Sequence, residues 1–147
     1  MNAETTNPLP IELSIMNSSI ITPLTFELKA SNRFLVEFPE EFNIDSWCVR
    51  KISKPKFANG EWENIRIEFI DIISPSTSQT LFNSLNSCDF PIKIITLDPI
   101  GNSVEEWVIQ VEKILTIDFG ELDYTNEEIQ KIFLLVKPIN CILNPNR

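Results

Sequence analysis

Alternating apolar and polar residues recur along this chain at the two-residue period of a β-strand, and this pattern constrains the fold more than any other feature. Successive side chains of a strand point to opposite faces of a sheet, so alternate apolar residues form one buried face. Three segments show it most clearly, with Phe34, Val36 and Phe38, then Ile65, Ile67 and Phe69, then Trp107, Ile109 and Val111. The sequence therefore predicts a mainly β protein.

Turn-forming residues join these strands into hairpins. The Asn59-Gly60 pair suits a type I′ turn, because both central residues of that turn have positive φ. The stretch DPIGN at residues 98–102 predicts a hairpin loop. A weaker alternation predicts one further strand at about residues 47–52, before the Asn59-Gly60 turn.

The remaining strands are less regular. PIKIITL, residues 91–97, alternates little, which predicts a short strand covered on both faces. Lys113, Ile114 and Leu115 break the phase of the strand that contains Trp107, and this predicts a bulge or bend. IQKIFLLV, residues 129–136, is the predicted last strand, and Pro138 is predicted to end it.

One segment changes to the period of a helix. Ser74 is the predicted N-cap and Pro75 the first helical residue, and Leu81, Phe82 and Leu85 are predicted to share the face that covers the sheet. The total of six or seven strands and one helix predicts a small antiparallel β-sandwich or open barrel with one covering α-helix.

Length and composition indicate one domain and exclude several functions. The 147 residues predict an extended arm at 1–24, which contains three prolines, and a single β domain at 25–147. A net charge of −9 disfavours a basic face that grips DNA; it suits solubility, or a surface that lets DNA pass without binding. Neither a membrane-spanning run nor a signal peptide is evident, so we expect no membrane contact and a cytoplasmic protein.

The sequence offers little for catalysis. It contains no histidine, which removes the usual general base and the commonest zinc sites. Cys48, Cys88 and Cys141 are far apart in sequence and are predicted to be reduced and mostly buried. No calcium-loop or nucleotide-binding motif occurs. We therefore predict no catalytic residue, no metal and no cofactor.

Carboxylates in the C-terminal half give the best enzymatic alternative, since two of them could flank a glycosidic bond. Glu105 and Glu106 are neighbours on a predicted strand, so they point to opposite faces and cannot work as a pair. Solvated turns explain the others more simply. The set comprises Asp98, Glu105, Glu106, Asp118, Glu121 and Asp123.

The three tryptophans have two interpretations. Trp47, Trp62 and Trp107 are either core residues or partly exposed residues at subunit contacts, where Trp is enriched. The contact interpretation is stronger for Trp62, which lies next to the predicted turn.

Read together, DPIGNSVEEWVI and IDFGELDYTNEEIQKIFLLV resemble the tail-tube proteins of contractile-tailed bacteriophages. That family has a D-x-x-G turn before a V-E-x-W strand, and an F-G-x-L-D-Y segment before an acidic turn and a final strand. KISKPKF and WENIRIEFID resemble its S-x-P segment and W-x-x-I-x-I strand. The motif residues are Asp98, Gly101, Glu105, Trp107, Phe119, Gly120, Leu122, Asp123 and Tyr124.

The resemblance implies a non-enzymatic virion protein, part of a tail that is assembled in the host cytoplasm. Copies of the chain would form rings, expected to be hexameric, and the rings would stack into a tube inside a contractile sheath. Expected partners are further copies, sheath proteins and baseplate proteins, and DNA would pass through without specific binding. The segment between the second and third strands would contact the next ring through Ser53, Lys54, Pro55, Lys56, Phe57, Asn59, Gly60 and Trp62.

Three alternatives remain open from the sequence. The chain could be a tube-like ring protein of the baseplate, neck or tube terminus, or a tube protein of a related contractile injection system. A β-sandwich module that binds carbohydrate is the alternative from another functional class.

Overall fold

The computed structural model describes residues 27–145, and the predicted arm at 1–24 lies outside them. The described chain is mainly β, as predicted, with eight strands and one α-helix. The strands are β1 (Phe34–Glu37), β2 (Val49–Ile52), β3 (Phe57–Ala58), β4 (Glu61–Trp62), β5 (Ile65–Ile70), β6 (Cys88–Leu97), β7 (Ser103–Asp118) and β8 (Lys131–Pro145). The helix α1 spans Thr77–Asn83, and single 3-10 turns span Glu40–Phe42 and Ser46–Cys48.

Six strands form one antiparallel sheet in the order β1-β6-β7-β8-β5-β2. The 3-10 turn at Ser46–Cys48 leads directly into β2 and packs against β1, so the two edges of the sheet approach each other. The result is a nearly closed barrel with one helix, which confirms the predicted open barrel. β3 and β4 form a separate hairpin between β2 and β5.

The barrel interior is the hydrophobic core, and the predicted alternation identifies its residues. In β5, Ile65, Ile67 and Phe69 are buried, whereas Arg66 points outward. The same alternation places Ile109 and Val111 of β7 in the interior. The fully buried large side chains are Phe69, Ile65, Ile67, Leu81, Ile92, Ile109, Ile132, Val36, Val111 and Val136.

The structure corrects the prediction for β6. This strand has ten residues and is not short, and its inward side chains, Phe90, Ile92 and Ile94, are buried in alternation. Ile95, on the opposite face, is only half-buried. The sequence suggested two covered faces because an isoleucine happens to lie on the outer face, next to Ile94.

The last strand also differs from its prediction. Pro138 does not end β8, which continues to Pro145. β5 pairs with β8 only as far as Val136, and the pairing of Pro138 with Val111 lies between two register shifts. The missing N–H of a proline costs little at such a bulge on a locally open edge. Further register shifts, between Val111 and Lys113 and between Ile114 and Thr116, confirm the predicted bulge in β7.

The helix forms where expected but is capped differently. Ser76, not Ser74, is the N-cap, and its hydroxyl accepts a hydrogen bond from the Gln79 N–H at 3.2 Å. Leu81 is buried, but Phe82 is mainly exposed, so the predicted shared face is wrong. A helix turns about 100° per residue, so these two neighbours cannot both face the core of a two-turn helix.

Cysteine burial is as predicted at two of three positions. Cys48 and Cys141 are buried free thiols, and Cys88 is exposed at the first residue of β6. Burial raises the pKa of the Cys141 thiol to about 11. Separately, none of the helices in residues 27–145 is long and apolar enough to cross a membrane.

Candidate assembly surfaces

The two ends of the barrel carry the residues that the sequence singled out. β7 runs from one end to the other. Its first residues lie beside the turn at residues 98–102 and the β3–β4 hairpin, and we call this the hairpin end. Its last residue is followed by the loop at residues 119–130, which returns to β8; we call this the loop end.

The predicted ring-stacking segment is an ordered hairpin that extends β2 and β5. Asn59 and Gly60 have φ values of 55° and 81°, as the predicted type I′ turn requires. The Glu63 N–H donates to the Lys56 carbonyl at 2.9 Å, and the Ser53 N–H donates to the Arg66 carbonyl at 3.0 Å. These bonds continue the β2–β5 pairing toward the turn, so the predicted contact residues belong to one hairpin that projects from the barrel.

Three aromatic rings fix this hairpin to the barrel. Phe57 and Trp62 meet edge to face, with ring centroids 5.0 Å apart, and Trp62 meets Trp107 in the same way at 6.2 Å. Trp62 and Trp107 are partly buried against the core, whereas Phe57 is 60% exposed. Edge-to-face pairs contribute about 0.5–1.5 kcal/mol each beyond their buried area. The hairpin is thus anchored at its base and presents an exposed phenylalanine.

Trp47 differs from the other two tryptophans. It lies in the 3-10 turn before β2 and is 60% exposed, so the core interpretation is wrong for this residue. Trp62 and Trp107 lie at the border of the core, between the two interpretations.

A buried carboxylate connects the hairpin to the N-terminal side of β1. Glu105 accepts a hydrogen bond from Lys29, and its Oε2 lies 2.8 Å from Lys54 Nζ. The contact with Lys54 is an ion pair. The hydrogen bond from Lys29, followed by the interaction with Lys54, lowers the pKa of Glu105 despite its burial. Glu105 therefore joins three separate segments and is not placed as an acid catalyst.

We expect the Glu105 ion pairs to stabilise the fold in a pH-dependent way. Because the pKa of Glu105 is lowered by folding, its contribution is present above the unfolded value and disappears as pH falls through the folded value. At pH 7 the substitution Glu105→Gln should cost about 1 kcal/mol, since both lysines are half-exposed and water screens them. Urea unfolding at pH 7 and at pH 3 measures the difference; an equal cost at both would contradict the assignment.

The turn at residues 98–102 is held by its own aspartate. Asp98 Oδ1 accepts from the N–H groups of Ile100 and Asn102 at 3.0 and 2.8 Å, and Gly101 has φ 94°. These bonds confirm the predicted hairpin loop. The roles of Asp98 and Gly101 within this turn are structural.

The loop end carries the F-G-x-L-D-Y residues. Leu122 is 84% exposed and Tyr124 is fully exposed, although both are large and apolar. Asp123 between them accepts hydrogen bonds from the Thr125 N–H and hydroxyl, which lower its pKa. Gly120 has φ 92°, and Phe119 is partly exposed. This loop therefore has a defined turn but leaves its apolar side chains uncovered.

The predicted motif residues thus divide between the two ends. Asp98, Gly101, Glu105 and Trp107 lie at the hairpin end, and the residues from Phe119 to Tyr124 lie at the loop end. Glu105 and Asp118 are thirteen residues apart on β7, which is roughly 40 Å of strand. The carboxylates considered for acid–base chemistry are therefore divided between the two ends, and Asp118, Glu121 and Asp123 line one cavity at the loop end. Residues 27–145 contain no group of three metal-binding side chains.

Sequence reasoning missed one feature of the hairpin end. Lys29, Arg33 and Lys54 gather beside Phe34 and Ile52 around a cavity. These residues come from the start of β1, from β2 and from the hairpin. Lys54 is among the predicted contact residues, whereas Lys29 and Arg33 have no signal in the sequence beyond their positive charge in an acidic chain. The antiparallel pairing of distant segments brings the three together.

The sequence matches no protein-family model and no curated protein. Solved structures share the fold. A chain of an extracellular contractile injection system, in the PVC sheath-tube complex in its extended state, aligns with a TM-score of 0.64 at 12% identity, over 83% of this chain and 95% of its own. A chain of the anti-feeding prophage tube-terminating cap aligns with a TM-score of 0.64 at 13% identity, over 90% and 100%.

A third match is a chain of the anti-feeding prophage baseplate, with a TM-score of 0.57 at 15% identity, over 82% of this chain and 98% of that one. The chain has a tail-tube-like fold. At these identities the shared property is the fold. Each of these alignments covers at least 95% of the matched chain.

Proposed function

We propose that this protein is a structural subunit of a contractile tail, which acts by assembly and not by turnover. Copies form rings, which we propose to be hexameric, and the rings stack into a tube inside a sheath. The observation that carries the proposal is the fold shared with chains of tube, cap and baseplate structures over more than four fifths of this chain.

The exposed surfaces of the barrel support assembly. Within residues 27–145 the four-residue edge strands β1 and β2 each pair with one neighbouring strand only, β6 and β5, and in this proposal another copy pairs with the other side. A closed ring covers such edges, which otherwise invite uncontrolled pairing. Exposed apolar residues at both ends, among them Phe57, Leu122 and Tyr124, provide surfaces for contacts along the tube axis.

In this proposal the partners are further copies, sheath proteins and baseplate proteins. In a phage the chain would belong to the virion tail, be assembled in the host cytoplasm, and surround DNA without binding it specifically. An acidic protein suits this conduit, because like charge disfavours adhesion of phosphates.

A second candidate is a ring that ends the tube, or a ring of the baseplate. The matches to the anti-feeding prophage cap and to the PVC sheath/tube terminator favour it, with TM-scores of 0.64 and 0.62. A tube protein of an injection system is supported by the same comparisons.

Electron microscopy of the purified protein tests the proposal. We expect negative-stain images to show rings with a central hole, and tubes if the chain is the main tube subunit. Single rings that do not elongate would favour the terminal or baseplate role. A chain that stays monomeric at high concentration and with tail partners present would refute ring assembly.

A further inference from the structure

A cavity opens at the hairpin end of the barrel, between β1, β6 and β2. It has a volume of about 320 Å³, and none of the residues that line it is acidic. Its apolar residues are Phe34, Ile52 and Ile94, and its cationic residues are Lys29, Arg33 and Lys54. We call it the socket. A ligand that fits it has an apolar side chain with carboxylates beside it.

The positive charge of the socket is only partly neutralised. Glu105 interacts with both Lys29 and Lys54, so one carboxylate faces two ammonium groups. Arg33 donates to the carbonyls of Leu97 and Leu28 at 3.4 and 3.3 Å and forms no ion pair within the described residues. The socket therefore retains net positive charge for an anionic partner.

The loop end of the same chain has the complementary chemistry. Residues 118–130 contain five carboxylates and no lysine or arginine. Leu122 and Tyr124 project from this loop almost completely exposed, with Glu121 and Asp123 next to them in sequence. We call residues 121–124 the knob. It presents an apolar side chain flanked by carboxylates, as the socket requires.

We propose that the knob of one copy inserts Leu122 into the socket of a copy in the next ring, with Glu121 and Asp123 facing the socket cations. This inference rests on the proposed stacking of rings and names the surfaces that make it. Knob and socket lie at opposite ends of β7, so the contact joins the loop end of one copy to the hairpin end of another. Such a heterologous contact does not close on itself and generates an open filament.

The test compares stacking of rings formed by the full chain and by two blocked variants. Leu122→Asp removes the side chain that is proposed to enter the socket and adds charge at an exposed position, so the fold of the variant should be unaffected. Ala30→Trp fills the socket, since Ala30 lines it. Ser31→Trp, at an exposed lining residue, replaces it if the first variant fails to fold.

We expect each variant to form single rings and to lose stacking in sedimentation velocity and negative-stain images. Rings of the two variants, purified separately and then mixed, should form pairs of rings and nothing longer, because only one knob-to-socket contact remains possible. Ile73→Asp is the matched control. Ile73 is 96% exposed and does not belong to the knob, so rings of this variant should stack like those of the unmodified chain.

The outcomes separate this inference from the proposed function. Normal stacking of the Leu122→Asp rings would overturn the knob and leave the ring proposal intact. Unmodified rings that never stack would also overturn it. If the unmodified chain forms no rings, the proposed function itself fails, and the stacking contact fails with it.

Discussion

Ile109→Ala is expected to lower the free energy of unfolding by about 2–5 kcal/mol, which is among the largest effects of any conservative change in this barrel. Ile109 is fully buried in the middle of β7, and its register partners, Ile92 and Cys141, are buried too. Truncation leaves a cavity that the paired strands on both sides cannot close. Urea unfolding followed by circular dichroism measures the loss.

Val108→Ala is the matched control for this prediction. Val108 precedes Ile109 on the same strand, but it faces outward and pairs with Lys93 and Ile142. Its truncation should cost below about 1 kcal/mol, because part of that side chain already contacts water. Both variants should be measured at several protein concentrations, since assembly adds stability by mass action. Equal losses for the two variants would contradict the assignment of Ile109 to the core face of β7 and of Val108 to its outer face.

Much of the sheet follows from local pattern. β5 and the turn at Asn59-Gly60 were predicted correctly, because a two-residue period and positive-φ residues act within a few positions of the chain. The same reasoning placed Glu105 and Glu106 on opposite faces of the sheet and identified the bulge near Lys113. These features depend on nearest neighbours, which the sequence displays directly.

Features that depend on distant pairing were not predictable in this way. Pro138 is predicted to end the strand, but β5 stops pairing at Val136, so no β5 residue needs the N–H that the proline lacks. Likewise, no local pattern told which apolar residue of α1 faces the core; packing selects Leu81 and leaves Phe82 exposed. Which of these residues is covered therefore depends on how distant segments pair and pack, and neighbouring residues in the sequence do not show this.

The assembly surfaces show the same division. The resemblance drew attention to Leu122 and Tyr124, yet only the structure shows that these residues are uncovered. Lys29 and Glu105 interact although they lie 76 positions apart, and the cavity beside them is formed by segments from three parts of the chain. The motifs thus mark residues of the two ends, whereas the cavity and the ion pairs there depend on the pairing of distant strands.

Gly120→Ala is expected to destabilise the protein by about 2–4 kcal/mol, from backbone strain and from a steric clash. Gly120 has φ 92°, a backbone conformation that residues with a Cβ rarely adopt. A Cβ at this position would lie 2.8 Å from the carbonyl oxygen of Lys131, at the start of β8. Since that oxygen belongs to the backbone, relief requires a shift of the loop or of the strand.

Gly101→Ala separates the two causes. Gly101 has a similar φ of 94°, but a Cβ there would meet no atom within 4 Å, so only strain of about 1–2 kcal/mol should appear. The difference between the two variants in urea unfolding therefore measures the clash with Lys131. Relief of this clash would displace the loop that carries Leu122, so Gly120→Ala should also weaken the proposed ring stacking. Gly101→Ala leaves that loop in place and should not affect stacking. Equal stability losses for both glycines would show that the approach of Lys131 to Gly120 is not a constraint on the loop.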